Sequence, residues 1–264
     1  MIRVPYYFDN YSNELENFKN IDLSFFGDSH SEYGFNDKLI SKMLNNNTRN
    51  ISLSGNTLYN NILVLENVLL INPNIDVNLS IGNHNVEESY FLTGNKVDEE
   101  IKRWFPYYNF REIMYLFQKY PREFSKGFFG IISSIGIRTF GFSEGVSRMD
   151  VLRESNIEIT RIPKDYQNSK PLWLNKLTNV IKENPKTKFK IIRIPIHNDV
   201  FYEEEFYLTI IREITELSNV EFQDYQNIKL IDKDFRDHTH LSNSGAEKLS
   251  TEYVKRNKSK NINY

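Results

Sequence analysis

The stretch LSFFGDSHSEYGFND, residues 23–37, decides how the rest of the chain is read. A short apolar run of strand length breaks into a turn that carries Asp28, Ser29 and His30 together. Polar, reactive side chains where a strand stops are the mark of a sheet whose carboxyl edge does the chemistry, because loop amides and helix N-termini converge there.

Working outward, the same alternation recurs. The first strand is IDLSFF (21–26), and Phe35, Leu39, Ile40, Met43 and Leu44 then repeat at a spacing that keeps one helix face apolar. NISLS (50–54) is the second strand, residues 57–71 form a helix closed by Asn72 and Pro73, and IDVNLSIG (75–82) is the third strand. From about 86 to 184 the alternation is lost and aromatic residues crowd in, which predicts a mainly helical insertion, or cap. The pattern resumes with FKIIRIPI (189–196), a helix over 203–219, a short strand at 220–223 and a closing helix from Gly245 to Lys255. Strand and helix alternation of this kind predicts an α/β fold around a parallel sheet of about five strands. The whole of 1–264 reads as one domain, interrupted after its third strand by the segment 86–184.

Bulk properties narrow the function. The net charge of −2 is spread without a basic stripe, so no nucleic-acid partner is expected. The chain has no cysteine, which removes disulfides, thiolate nucleophiles and cysteine-zinc sites. No stretch approaches about 18 consecutive apolar residues, and MIRVPYYFDNYSNELENFKN (1–20) has no apolar h-region, so a soluble chain without a membrane span is expected. The compartment stays open, with the cytoplasm as default, and so does the oligomeric state.

Reactive residues follow the proposed strands one after another: GDSH (27–30), SGNT (54–57) and GNHN (82–85). Of five histidines, His30, His84 and His197 follow strands, while His238 and His240 precede the last helix. A serine hydroxyl needs a base to take its proton, and the base needs an acid to fix its tautomer. Asp237-x-x-His240 supplies that pair, since one tight turn brings the carboxylate to Nδ1 and leaves Nε2 for Ser29. The oxyanion hole is expected from the amides of Ser29 and Gly55, with a side chain from Asn85, His84 or Asn83, in that order. His30, Asn56 and His197 are candidate substrate contacts. Asp237, His238 and His240, joined by Asp28, His30 and His84, also read as a metal-ligand cluster, but such a site leaves Ser29 and Gly55 without a role. No metal or cofactor is expected.

Taken together, GDS near the N-terminus, a glycine after strand two, G-x-x-N after strand three and D-x-x-H near the C-terminus resemble the SGNH/GDSL hydrolase superfamily. The resemblance implies a flavodoxin-like three-layer α/β/α sandwich, esterase, lipase, deacetylase or acyltransferase chemistry without metal, and Ser29, Asp237 and His240 as the triad. Two departures stand out. GDSH replaces the usual GDSL and the D-x-x-H block runs on as HLSNSGA (240–246), wording similar to domains that O-acetylate or deacetylate bacterial glycans. In the third block His84 stands where the family usually has asparagine. The expectation is a serine-dependent ester hydrolase acting on O-acyl, chiefly acetyl, groups of a small molecule or glycan. An O-acyltransferase using the same relay and a non-catalytic glycan-binding descendant are the alternatives.

Overall fold

A computed structural model of the chain describes residues 18–85, 110–128, 172–200 and 204–260. The chain divides into two compact units, Met1–Tyr6 with Leu92–Arg161, and Tyr7–Phe91 with Ile162–Tyr264. In the second unit the order is β1 (Leu23–Phe26), α1 (Ser29–Gly34), α2 (Asp37–Leu44), β2 (Thr48–Asn50), α3 (Leu58–Ile71) and β3 (Asp76–Ser80). In the first, α4 spans Phe110–Lys119. The second unit continues with α5 (Leu172–Glu183), β4 (Phe189–Arg193), α6 (Glu204–Thr215), β5 (Val220–Asp224) and α7 (Asn243–Lys260).

The five strands are all parallel and run β2-β1-β3-β4-β5, the flavodoxin-like order. In that order the switch point, where ligand crevices open, falls between β1 and β3. Leu23 and Phe25 turn to one face and pack with Ile40 of α2 and Leu249 and Tyr253 of α7. Phe26, equally buried, turns to the other face because successive side chains alternate. The buried carboxamide of Asn78, inside the sheet, is paired on both sides: it donates to the Ser24 carbonyl at 3.1 Å and accepts from the Tyr253 hydroxyl at 3.0 Å.

Helix starts follow their caps. Thr57 accepts from the Asn60 amide to open α3, and Asn36 accepts from the Leu39 amide to open α2. Helix α3 is apolar on nearly every face and buried along most of its length, as a core helix must be.

Three expectations are corrected. The second strand runs Thr48–Asn50, earlier than 50–54, although the Ile51 and Leu53 amides still bond the Phe25 and Gly27 carbonyls beside β1. The fourth strand stops at Arg193 because Pro195 has no N–H to continue the ladder. The insertion, expected to reach 184, ends before α5: Trp173, Leu174, Leu177, Val180 and Ile181 are buried, and the helix packs on α3 with Lys176 paired to Glu66 at 3.0 Å. Residues 86–109 and 129–171 of the expected insertion lie outside the described residues. Within the first unit, the rings of Phe117, Phe124 and Phe128 pack in series. Among the described residues no helix is long and apolar enough to cross a membrane.

Candidate active site

Strand β1 ends at Phe26, and Asp28 caps α1, so Ser29 is the first residue of that helix. His240, distant in sequence, places Nε2 2.7 Å from the Ser29 Oγ. Its Nδ1 lies 2.9 Å from each oxygen of Asp237. Asp237 also accepts from the amides of Thr239 and His240, both at 2.9 Å. Burial opposes the Asp237 charge, but these N–H donors and the His240 ring outweigh it and hold the carboxyl below its ordinary range. An ionised Asp237 keeps the proton on Nδ1, which leaves the Nε2 lone pair for the Ser29 hydroxyl.

The turn carrying this pair is fastened from both sides. Phe235 and Leu241 form an antiparallel bridge, the Arg236 amide bonds the His240 carbonyl at 2.8 Å, and the His197 amide bonds the His238 carbonyl at 2.9 Å. Asp234, fully buried, accepts from Lys248 and Ser244 of α7. Burial raises its pKa, yet these bonds and the Ile231 amide lower it to about 2. Gly245 is obligatory here, since a Cβ would fall 2.1 Å from the Asp234 carbonyl oxygen.

A second carboxylate–imidazole set lies beside the first. Asp28 Oδ1 accepts from the His30 amide at 2.9 Å and pairs with His30 Nδ1 at 3.0 Å. Its Oδ2 pairs with His84 Nε2 at 2.7 Å and accepts from Asn85 Nδ2 at 3.1 Å. Burial disfavours the Asp28 charge, but His84 and His30 outweigh it and hold the carboxyl well below its usual range. The His30 ring lies between those of His84 and His240, at centroid distances of 4.3 and 4.9 Å.

The remaining expected residues separate. The Ser29 and Gly55 amides have no hydrogen-bond partner among the described residues, and Gly55 holds its turn open at φ 72°, a conformation glycine adopts without cost. In the GNHN block the three side chains differ in what they bond. Asn85 accepts from the Gly82 amide at 2.7 Å while donating to Asp28, so its carboxamide braces the loop. His84 is held by Asp28. Of the block's side chains, Asn83 keeps a buried N–H without a partner among the described residues. Asn56, expected as a substrate contact, is buried and donates to Asn61 Oδ1 at 2.9 Å. The ring nitrogens of His197, also expected as a substrate contact, face Asp199 at 3.2 Å and Asp232 at 3.5 Å. Among the described residues two groups have metal-compatible spacing, Asp28 with His30 and His84, and His197 with Asp199 and His238. In the first group Asp28 and the two imidazoles already bond one another.

Sequence reading missed Glu32, whose carboxylate accepts from the Ser54 amide at 2.7 Å and from the Ser54 hydroxyl. It ties α1 to the turn carrying Gly55. A lone, half-buried glutamate in the first turn of a short helix carries no sequence signal of such a partner.

An α/β sheet of flavodoxin-like order with a Ser-His-Asp arrangement at its carboxyl edge is the class that fold and site define. No protein-family model and no curated protein sequence matches the chain. Solved structures similar to it include a lipase/acylhydrolase from Enterococcus faecalis, at 13% identity and a TM-score of 0.48 over 91% of this chain and 96% of that one. A GDSL-like lipase from Bacteroides thetaiotaomicron is similar at 14% identity and a TM-score of 0.44, covering 95% and 98% of the two chains. An acetyl xylan esterase from the rumen bacterium Butyrivibrio proteoclasticus is similar at 12% identity and 0.43, covering 91% of this chain and 64% of that one.

Proposed function

We propose that the chain is a serine-dependent carboxylic ester hydrolase of SGNH type, acting on O-acyl groups of a small molecule or glycan, with acetyl the expected size. The observation that carries this is the continuous relay Asp237–His240–Ser29, with its 2.7 Å contact between imidazole and hydroxyl. Ser29 Oγ attacks the acyl carbonyl as its proton passes to His240 Nε2. The C–O bond to the alcohol then breaks, and the alcohol leaves with that proton, giving acyl-Ser29. Water, deprotonated by His240, attacks the acyl-serine and releases the carboxylic acid and free Ser29. Asp237 stabilises the imidazolium in both halves.

The negative charge on the tetrahedral oxygen would be met by the Ser29 and Gly55 amides and by Asn83 Nδ2, the unpartnered donor of its loop. Each such donor contributes about 3 kcal/mol in a hydrolase of comparable chemistry. A sugar hydroxyl in place of water would make the same intermediate an acyltransferase.

Incubation with acetylated sugars and short-chain p-nitrophenyl esters, followed by mass spectrometry, tests this. Acyl mass on the Ser29 peptide, absent in Ser29→Ala, is the expected result. Ester turnover that survives Ser29→Ala and disappears with a chelator would overturn it in favour of a metal-dependent hydrolase. Free acid or an acylated sugar as product separates hydrolysis from transfer.

A further inference from the structure

We infer that His30 is a specificity residue: its Nε2 accepts a hydrogen bond from a free hydroxyl on the alcohol part of the substrate, adjacent to the ester. The inference deepens the proposed function and rests on it for the position of the ester.

His30 Nδ1 faces an Asp28 carboxylate that stays ionised, so Nδ1 carries the proton and Nε2 presents a lone pair. That Nε2 is buried and has no hydrogen-bond partner among the described residues. The ring cannot turn away to find one without losing the Asp28 bond, and it is held between His84 and His240. A buried acceptor left unmet costs free energy, so the site is incomplete until something donates to it.

What donates is set by the surroundings. His30 lines a small cleft with Gly82, Asn83, His84, Arg193 and Gln226. Arg193 donates to Glu204 and Asp224, and Gln226 Nε2 donates to the Ile196 carbonyl, so both side chains are drawn toward acceptors other than His30. Asn83, the proposed oxyanion donor, lines the same cleft, with its Nδ2 buried. An ester whose acyl oxygen rests on Asn83 therefore presents its neighbouring group to His30. A hydroxyl there donates to Nε2, whereas a methyl leaves the acceptor stranded. The chemical class selected is the monoester of a vicinal diol, the arrangement found in partly acylated polyols.

The matched pair 2-hydroxyethyl acetate and propyl acetate isolates that hydroxyl. Wild-type enzyme is expected to favour the hydroxylated ester about tenfold or more in kcat/KM, because the analogue lacking the group leaves a buried partner unpaired. His30→Phe keeps the ring and removes the acceptor, and the ratio should fall to near one. His30→Gln, which restores an acceptor, should recover part of it.

A second readout needs no turnover. In Ser29→Ala with 15N-labelled imidazoles, 2-hydroxyethyl acetate should shift the His30 Nε2 resonance and propyl acetate should not. Equal effects of the two esters, or none from either because a water alone fills the cleft, overturn the inference. Ser29 that takes no acyl group in the wild type defeats the hydrolase reading, and the resonance shift still decides the role of His30.

Discussion

Asp237 and Asp28 hold imidazole Nδ1 atoms at nearly the same distance, 2.9 and 3.0 Å, on adjacent loops of the same sheet edge. Their settings differ. The Asp237 side chain is 49% exposed and serves one imidazole from three residues away, whereas that of Asp28 is 9% exposed and joins two imidazoles and Asn85 across the two loops that follow β1 and β3. The exposed pair can take up and release a proton with water close by. The buried one is saturated with donors and acts as a clamp, fixing where β1 and β3 leave the sheet. Similar chemistry thus separates into relay and scaffold according to burial and to what the outer nitrogen meets.

That division can be broken by substitution. Ser29→Ala and His240→Ala should each lower kcat for ester hydrolysis by about 10⁴-fold or more, as loss of one member of a relay disables the unit. Asp237→Asn should cost about 10⁴-fold in kcat through the wrong tautomer, yet move the urea midpoint by less than about 1 kcal/mol in stability. Asp28→Asn should do the reverse: about 3 kcal/mol of stability lost by urea unfolding, because two imidazoles lose a buried charge, with a smaller fall in kcat than Asp237→Asn gives. Equal stability losses for the two variants would erase the distinction.

Smaller effects sharpen it. Asn83→Ala is expected to reduce kcat about 10²-fold with KM little changed, while Asn85→Ala should lower the unfolding midpoint by about 1–3 kcal/mol, since it braces Gly82 and Asp28. The folded-state pKa values of Asp28, Asp234 and Asp237 are all depressed. A depressed carboxyl contributes stability that is fully present above its unfolded pKa, about 3.9, and lost as pH falls through the folded value. The unfolding midpoint should therefore decline below about pH 4 and continue falling toward the Asp234 value of about 2. Asp234→Asn should flatten that acid limb.

Much of this was legible in the residues. Strand runs ending in GDSH, SGNT and GNHN, with Asp237-x-x-His240 near the end of the chain, were enough to predict a parallel sheet and a set of strand-end residues. The sheet has the expected number of strands, and Ser29, His240 and Asp237 lie within hydrogen-bonding reach of one another. What sequence could not resolve was direction. Asn83, Asn85 and His84 are neighbours in one short loop, and only the 3₁₀ turn at Asn83–Asn85 decides which side chain faces Asp28 and which stays unpartnered. Asn56 and His197 follow strands as His30 does, but Asn61 and the carboxylates of Asp199 and Asp232 claim them through tertiary packing. Helix α5 was hidden because apolar positions at helix spacing look alike in a cap and in the outer layer of a sheet.

The most direct test of the relay is the rate at which a fluorophosphonate labels Ser29, followed by peptide mass spectrometry in wild type and in His240→Ala. Rapid labelling confined to Ser29 in the wild type, falling by orders of magnitude in His240→Ala, is predicted. Labelling that is absent, or that proceeds equally fast without the imidazole, would contradict it.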